Sequence, residues 1–107
     1  MKRLKFTNQL AEIILKGDKT ISWRINDEKK ISVGDELSLC YNDGNEFAKA
    51  IARWVKETTF GNLSYEDKEM HESFSTNEEM YKTYSKYYKT EVTQKTKLKV
   101  IKFEIIK

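Results

Sequence analysis

Lys19, Ser22 and Arg24 fall within six residues of one another in the stretch GDKTISWR, residues 17–24. A serine hydroxyl becomes a nucleophile only when a base removes its proton, and lysine can be that base only when neutral. From a reference pKa of about 10.4, roughly one lysine in a few thousand is neutral at pH 7, so Lys19 needs a depression of ~2 to 3 units. Burial or a nearby cation such as Arg24 would supply it. Strict alternation along a strand sets Lys19 and Ser22 on opposite faces, so the two converge only if Lys19 precedes the strand, in a turn at Gly17 and Asp18. The plain alternative is a small polar serine, a solvated lysine and an arginine paired with a surface carboxylate.

Farther along, Glu72 follows His71 in MHESF. A carboxylate at such a junction can orient a partner or relay protons. Glu66 and Asp67 upstream are better explained by the attraction of helix starts for acids, and His71 alone reads as a surface or structural histidine. Tyr81, Tyr84, Tyr87 and Tyr88, interleaved with Lys82, Lys86 and Lys89, have the residue types that stack bases and neutralise phosphates. At helical spacing the same tyrosines also serve as core. Trp23 and Trp54 lie on strand faces suited to a core, and Cys40 is read as a small buried residue.

Several elements must position these groups. Leu10, Ile13 and Ile14 recur at helical spacing over residues 8–16, with Thr7 or Asn8 as N-cap and Gly17 as the left-handed residue that ends the helix. Thr20 to Ile25 then alternate, with Ile21, Trp23 and Ile25 on an apolar face and Thr20, Ser22 and Arg24 on the other. A polar connection, NDEKKISVGD, leads to a strand with Leu37, Leu39 and Tyr41 on one face. NDGN at 42–45 signals a hairpin. The return strand, from Phe47 to about Phe60, exceeds the usual length, which predicts a bulge within AKAIARW. Ser64 with Asp67, and Thr76 with Glu79, predict capped helices over 65–71 and 77–88. Met80, Tyr84 and Tyr87 or Tyr88 give the second an apolar stripe. Lys97 to Ile106 closes the chain as an apolar strand with the lysine flanks common at sheet edges. The predicted order is helix, three strands, two helices, strand, an α+β plan with helices against a curled sheet.

At 107 residues the chain suits one domain with one modest core. Its net charge of +3, from 20 basic and 17 acidic residues, is a mild tilt rather than the basic stripe of a duplex binder. Arg3, Arg24 and Arg53 are the only arginines, so bidentate contacts to phosphate or carboxylate have few sources. One cysteine and one histidine argue against a disulfide and a metal centre, and no cofactor is expected. No apolar run reaches the roughly 20 residues of a membrane span, and the N-terminal MKRLKFTNQLAEIIL is too broken for a signal peptide. The expectation is a cytoplasmic protein without a membrane partner.

Taken in order, the N-terminal helix, KTISWR, VGDEL, LSYED, ESFSTNEEM and VIKFEI resemble the ASCH domain family of the PUA-like superfamily. Gly17, Lys19 and Arg24 match its G-x-K-x-x-E-x-R motif, and Ser22 stands where many members have Glu and others Thr. The resemblance covers almost the whole chain and implies one domain, 1–107, built as a small β-barrel of about five strands with helices around it. It also implies a cleft beside the barrel that takes RNA or a modified nucleoside. A branch of small members, similar to this chain in KTIT, hydrolyses the acetyl amide of N4-acetylcytidine with a Lys, a Thr and a Glu. By position these become Lys19, Ser22 and Glu72, although LSYEDKEMHESF is one residue longer than the pattern. In that role Ser22 attacks the acyl carbon, Lys19 takes its proton and Glu72 relays protons. Arg24, Lys19 and Trp23 are the expected ligand-binding residues.

Overall fold

The computed structural model describes residues 1–26 and 28–106; Asp27, in the polar connection, lies outside the described residues. The first element is a strand that the predicted order lacked, β1 (Lys2–Phe6). Leu4 and Phe6 alternate in it with Arg3 and Lys5, and both apolar side chains are buried. Helix α1 (Asn8–Leu15) follows, its N-cap Thr7 accepting a hydrogen bond from the Leu10 N–H. Gly17 ends it with φ +87°, a backbone state that a side chain would strain.

Next come β2 (Ile21–Arg24), β3 (Glu36–Tyr41) and β4 (Glu46–Thr59), the last two joined at the predicted NDGN hairpin. A 3-10 turn (Phe60–Asn62) leads to α2 (Tyr65–Lys68), shorter than the predicted 65–71. Its Ser64–Asp67 capping box is complete, but Glu69 is already extended. Helix α3 (Asn77–Tyr88) matches its predicted span, and β5 (Lys97–Ile106) ends the fold.

The five strands form one sheet in the order β1-β3-β4-β5-β2, with β1 parallel to β3 and the other pairs antiparallel. It curls into a half-barrel carrying three helices, an α+β architecture. The lysine flanks of β5 misdirected its placement: it lies between β4 and β2. Leu98 and Val100 are buried in one cluster and Ile101 and Phe103 in the other, as suits a central strand covered on both faces. The edges are β1 and β2.

The predicted bulge falls between Ala52 and Trp54. Ala50 and Ala52 face one apolar cluster; past the extra residue Val55 returns to that cluster while Trp54 joins the cluster on the other face. Without the bulge every later side chain of β4 would change sides. The first cluster includes Leu4, Phe6, Ile14, Leu37, Leu39, Ile101 and Phe103. The second includes Ile21, Trp23, Ile25, Phe60, Met80, Tyr84, Leu98 and Val100. No helix among the described residues is long and apolar enough to cross a membrane.

Candidate functional site

A cavity of about 330 Å³ opens where the two edge strands approach each other, with Lys5, Phe6 and Thr7 on one side and Ser22, Trp23 and Arg24 on the other. Lys19, Glu72, Tyr84, Tyr87 and Tyr88 complete most of its wall. Arg24 spans the seam. One of its terminal nitrogens donates to the Lys5 carbonyl at 3.1 Å, its Nε donates to Ser22 Oγ at 2.8 Å, and its guanidinium carbon sits 4.8 Å from the centroid of the Phe6 ring. A planar, multiply donating cation suits this placement, because edge strands leave carbonyls unpaired and an aromatic face attracts positive charge.

Lys19 lies before β2, in the segment that follows the Gly17 turn, and its side chain is only 2% exposed. Its Nζ donates to the Ile21 carbonyl and to Glu72 Oε1, each at 2.6 Å. Burial pulls its pKa down, the Glu72 carboxylate pushes it up, and the Arg24 charge adds a smaller depression; the result is about 8. For Glu72 burial acts upward, but the Lys19 ammonium and the hydrogen bonds outweigh it and hold the carboxyl below its usual range.

Glu72 comes from 53 residues downstream. Two hydrogen bonds anchor its segment to β2: the Thr20 N–H donates to the Met70 carbonyl at 2.9 Å, and Trp23 Nε1–H donates to the Asp67 carbonyl at 2.9 Å. Asp67 is itself buried, capping α2 at the Ser64 N–H and pairing with Lys56 at 2.6 Å. Met70 takes a left-handed φ of +58° just before His71, which packs on Trp23, and Glu72, which reaches the cavity.

Of the two readings of His71, surface or structural, the fold takes the second: the residue is buried. It stacks on Trp23 with ring centroids 3.7 Å apart. Its Nδ1 lies 2.9 Å from the Glu72 carbonyl and 3.1 Å from Glu72 Oε1, both acceptors, so Nδ1 carries the hydrogen. Nε2 then accepts from the Tyr84 hydroxyl at 3.2 Å. Burial, with the Lys19 charge, lowers the His71 pKa to about 3, which keeps the ring neutral. Burial raises Tyr84 well above its usual value, so its hydroxyl stays a donor. His71 thus joins the Tyr84 hydroxyl to the Glu72 main-chain carbonyl, and its Nδ1 lies 3.1 Å from the Glu72 carboxylate oxygen that holds Lys19.

Lys19, Ser22, Arg24, Trp23 and Glu72 thus line one cavity. Lys19 and Ser22, however, are not joined by a hydrogen bond: Lys19 is engaged by Ile21 and Glu72, and Ser22 accepts from Arg24. One face of Trp23 is covered by His71, whereas the tyrosines of α3 supply further aromatic wall. Arg53, another of the three arginines, makes an exposed pair with Glu104 at 2.9 Å. Lys5 and Phe6 were missed together with β1, although the two-residue alternation of KRLKF marks them. No group of three or more His, Cys, Asp or Glu side chains among the described residues is placed to hold a metal.

No protein-family model matches the chain, and no curated protein matches it in sequence. Solved structures do. The hypothetical protein PH0355 is 27% identical with a TM-score of 0.75, over 99% of this chain and 100% of that one. Protein EF3133 from Enterococcus faecalis V583, assigned to DUF984, is 15% identical with a TM-score of 0.77, over 92% of this chain and 71% of that one. An ASCH domain from Lactobacillus crispatus JV V101 is 14% identical with a TM-score of 0.71, over 97% of this chain and 79% of that one. A five-stranded curled sheet with three helices in the same arrangement gives this chain an ASCH-like fold.

Proposed function

We propose that the chain recognises a nucleoside, free or within single-stranded RNA, in the cavity at the seam. One observation carries this reading: aromatic walls and fixed polar groups of both kinds meet in a single small cavity. Tyr87 and Tyr88 offer surface for a planar base, Arg24 offers donors and Glu72 an acceptor. A splayed-out base needs this combination, because its faces stack while its edge is read by hydrogen bonds. The volume lies at the small end of ligand pockets, which suits one nucleoside and excludes a duplex. Titration calorimetry with cytidine and N4-acetylcytidine tests the reading. Saturable binding that weakens about tenfold or more in Glu72→Gln, the scale of a lost charged hydrogen bond, is the expected result. Absence of binding at millimolar nucleoside overturns it.

The Lys19 pKa of about 8 favours a second reading, amidohydrolysis of an acylated cytidine. About a tenth of Lys19 is then neutral at pH 7, against one in thousands for an ordinary lysine. Ser22 Oγ would form a bond to the acyl carbon as its proton passes to the Lys19 amine. Arg24 would stabilise the oxyanion. Breaking the C–N bond would return that proton to the departing cytidine amine, and water would release acetate from the acyl-serine. The step requires Lys19 to exchange an existing partner for Ser22. Conversion of N4-acetylcytidine to cytidine and acetate, abolished in a folded Lys19→Ala variant, supports it; no conversion at high enzyme concentration eliminates it.

A further inference from the structure

We propose that a second cavity, on the far side of Arg24, is a phosphate subsite, so that the ligand is a nucleotide rather than a bare nucleoside. The inference rests on the nucleoside reading above. This cavity encloses about 580 Å³, and Arg24 lines both it and the first, so one side chain forms the partition between a base-sized space and its neighbour. Lys30, Lys97 and Lys99 join Arg24 in its wall, with Glu57 as the one acidic residue described there and Thr58, Thr59 and Asn26 as hydrogen-bonding groups.

The register explains the concentration of charge. Arg24 on β2 stands directly opposite Lys99 on β5, and Lys99 stands opposite Glu57 on β4. This register gathers two cations and one carboxylate on neighbouring strands, and an anion bound beside them would gain Coulomb attraction. Lys99 is anchored, donating to the Ile31 carbonyl at 3.0 Å. Lys30 and Lys97 are exposed, and neither ammonium has a hydrogen-bond or ion-pair partner among the described residues. They are the groups able to close on a phosphate.

The whole-chain charge gives a second argument. Lys5, Lys19, Arg24, Lys30, Lys97 and Lys99 line the two cavities against Glu57 and Glu72, a net +4 from six positive and two negative residues. The entire chain is only +3. The basic excess of the protein is therefore gathered at this pair of cavities, where it raises the local concentration of anionic ligands.

The test is a ratio of affinities. Cytidine, its 3′- and 5′-monophosphates, and the dinucleotides CpU and UpC are titrated into the wild type and the Lys30→Gln/Lys97→Gln double variant. One monophosphate should bind about tenfold or more tighter than cytidine, the gain expected of charge-assisted hydrogen bonds. The gain should shrink between about 50 and 200 mM salt. In the double variant the ratio should fall to about one. A dinucleotide that keeps the gain assigns the subsite to an RNA chain; a gain confined to the monoester assigns it to a mononucleotide, and both support the proposal. Cytidine binding with a ratio near one in the wild type, or a ratio that survives in the double variant, overturns the phosphate subsite and leaves the nucleoside reading standing. Salt-sensitive binding of inorganic phosphate at Lys97, seen by amide chemical shifts, without any cytidine binding would do the reverse.

Discussion

The two faces of the sheet solve burial differently. On one, Leu4, Phe6, Ile14, Leu37, Leu39, Ile101 and Phe103 pack as hydrocarbon, with α1 as cover. On the other, Trp23, Phe60, Tyr84 and Met80 pack against each other, the buried His71 ring stacks on Trp23 and bonds the Tyr84 hydroxyl, and Trp23 donates to the Asp67 main-chain carbonyl. Lys19 and Glu72 lie at the margin of that second face. Stability on the first face is a matter of area and volume. On the second it depends on protonation states, because each buried charge or neutral imidazole is tolerated only with its partners in place. Where binding or chemistry is proposed, the molecule accepts this dependence.

Acid should separate the two faces most strongly. His71 binds a proton near its ordinary value in the unfolded chain but only near pH 3 in the folded one. The unfolded state therefore holds more protons between those values, and stability should fall as pH drops from about 6.5 toward 3, by about 4 kcal/mol in all. Phe103→Ala should cost about 4 kcal/mol as well, but by the same amount at every pH. Urea unfolding between pH 4.5 and 7 checks both: Phe103→Ala should run parallel to the wild type, and His71→Phe should flatten the curve. A wild-type curve that is flat over that range would break the comparison.

Alkali should act on Lys19 in the opposite sense. Its folded pKa of about 8 lies below the ordinary lysine value of 10.5, so the unfolded chain holds the extra proton in that window. Stability contributed by this residue should rise with pH from about 8 to 10.5, by about 3 kcal/mol. The difference in unfolding free energy between the wild type and Lys19→Met should move in favour of the wild type over that range. A constant difference would mean that Lys19 keeps an ordinary pKa.

The smallest expected effect concerns the seam. Arg24→Lys keeps a charge but loses the fork that holds Ser22 and the Lys5 carbonyl together. It should cost about 1 kcal/mol, and amide exchange should quicken in β1 and β2 more than in β4. Equal exchange throughout the sheet would show that Arg24 does not hold the edges together.

Much of this was legible from residues alone. Periodicity gave α1 and α3 with their caps, the faces of β2, the NDGN hairpin and the bulge in β4, since each depends on contacts within a few residues. The charged flanks of β5 misled because an edge and a central strand differ in neighbours that lie far away in the chain. β1 carried a readable alternation, but five residues beside a stronger helical pattern gave it little weight. For His71 there was no signal: its burial follows from the turn at Met70 and from the Trp23 ring it covers.

By itself, then, the sequence determined local form and the chemical types at hand: a strand presenting Ser22 and Arg24 on one face, a turn at Gly17 before it, and an α+β plan of capped helices and hydrophobic strands. Only the tertiary structure decided that Glu72 meets Lys19, that Lys19 bonds Ile21 and Glu72 rather than Ser22, and that Arg24 lines two basic cavities. Those outcomes depend on which strands become edges and on two hydrogen bonds linking residues 50 and 44 positions apart. Side-chain pKa values and partners are set by that assembled surrounding, through desolvation and Coulomb interactions that no local pattern encodes.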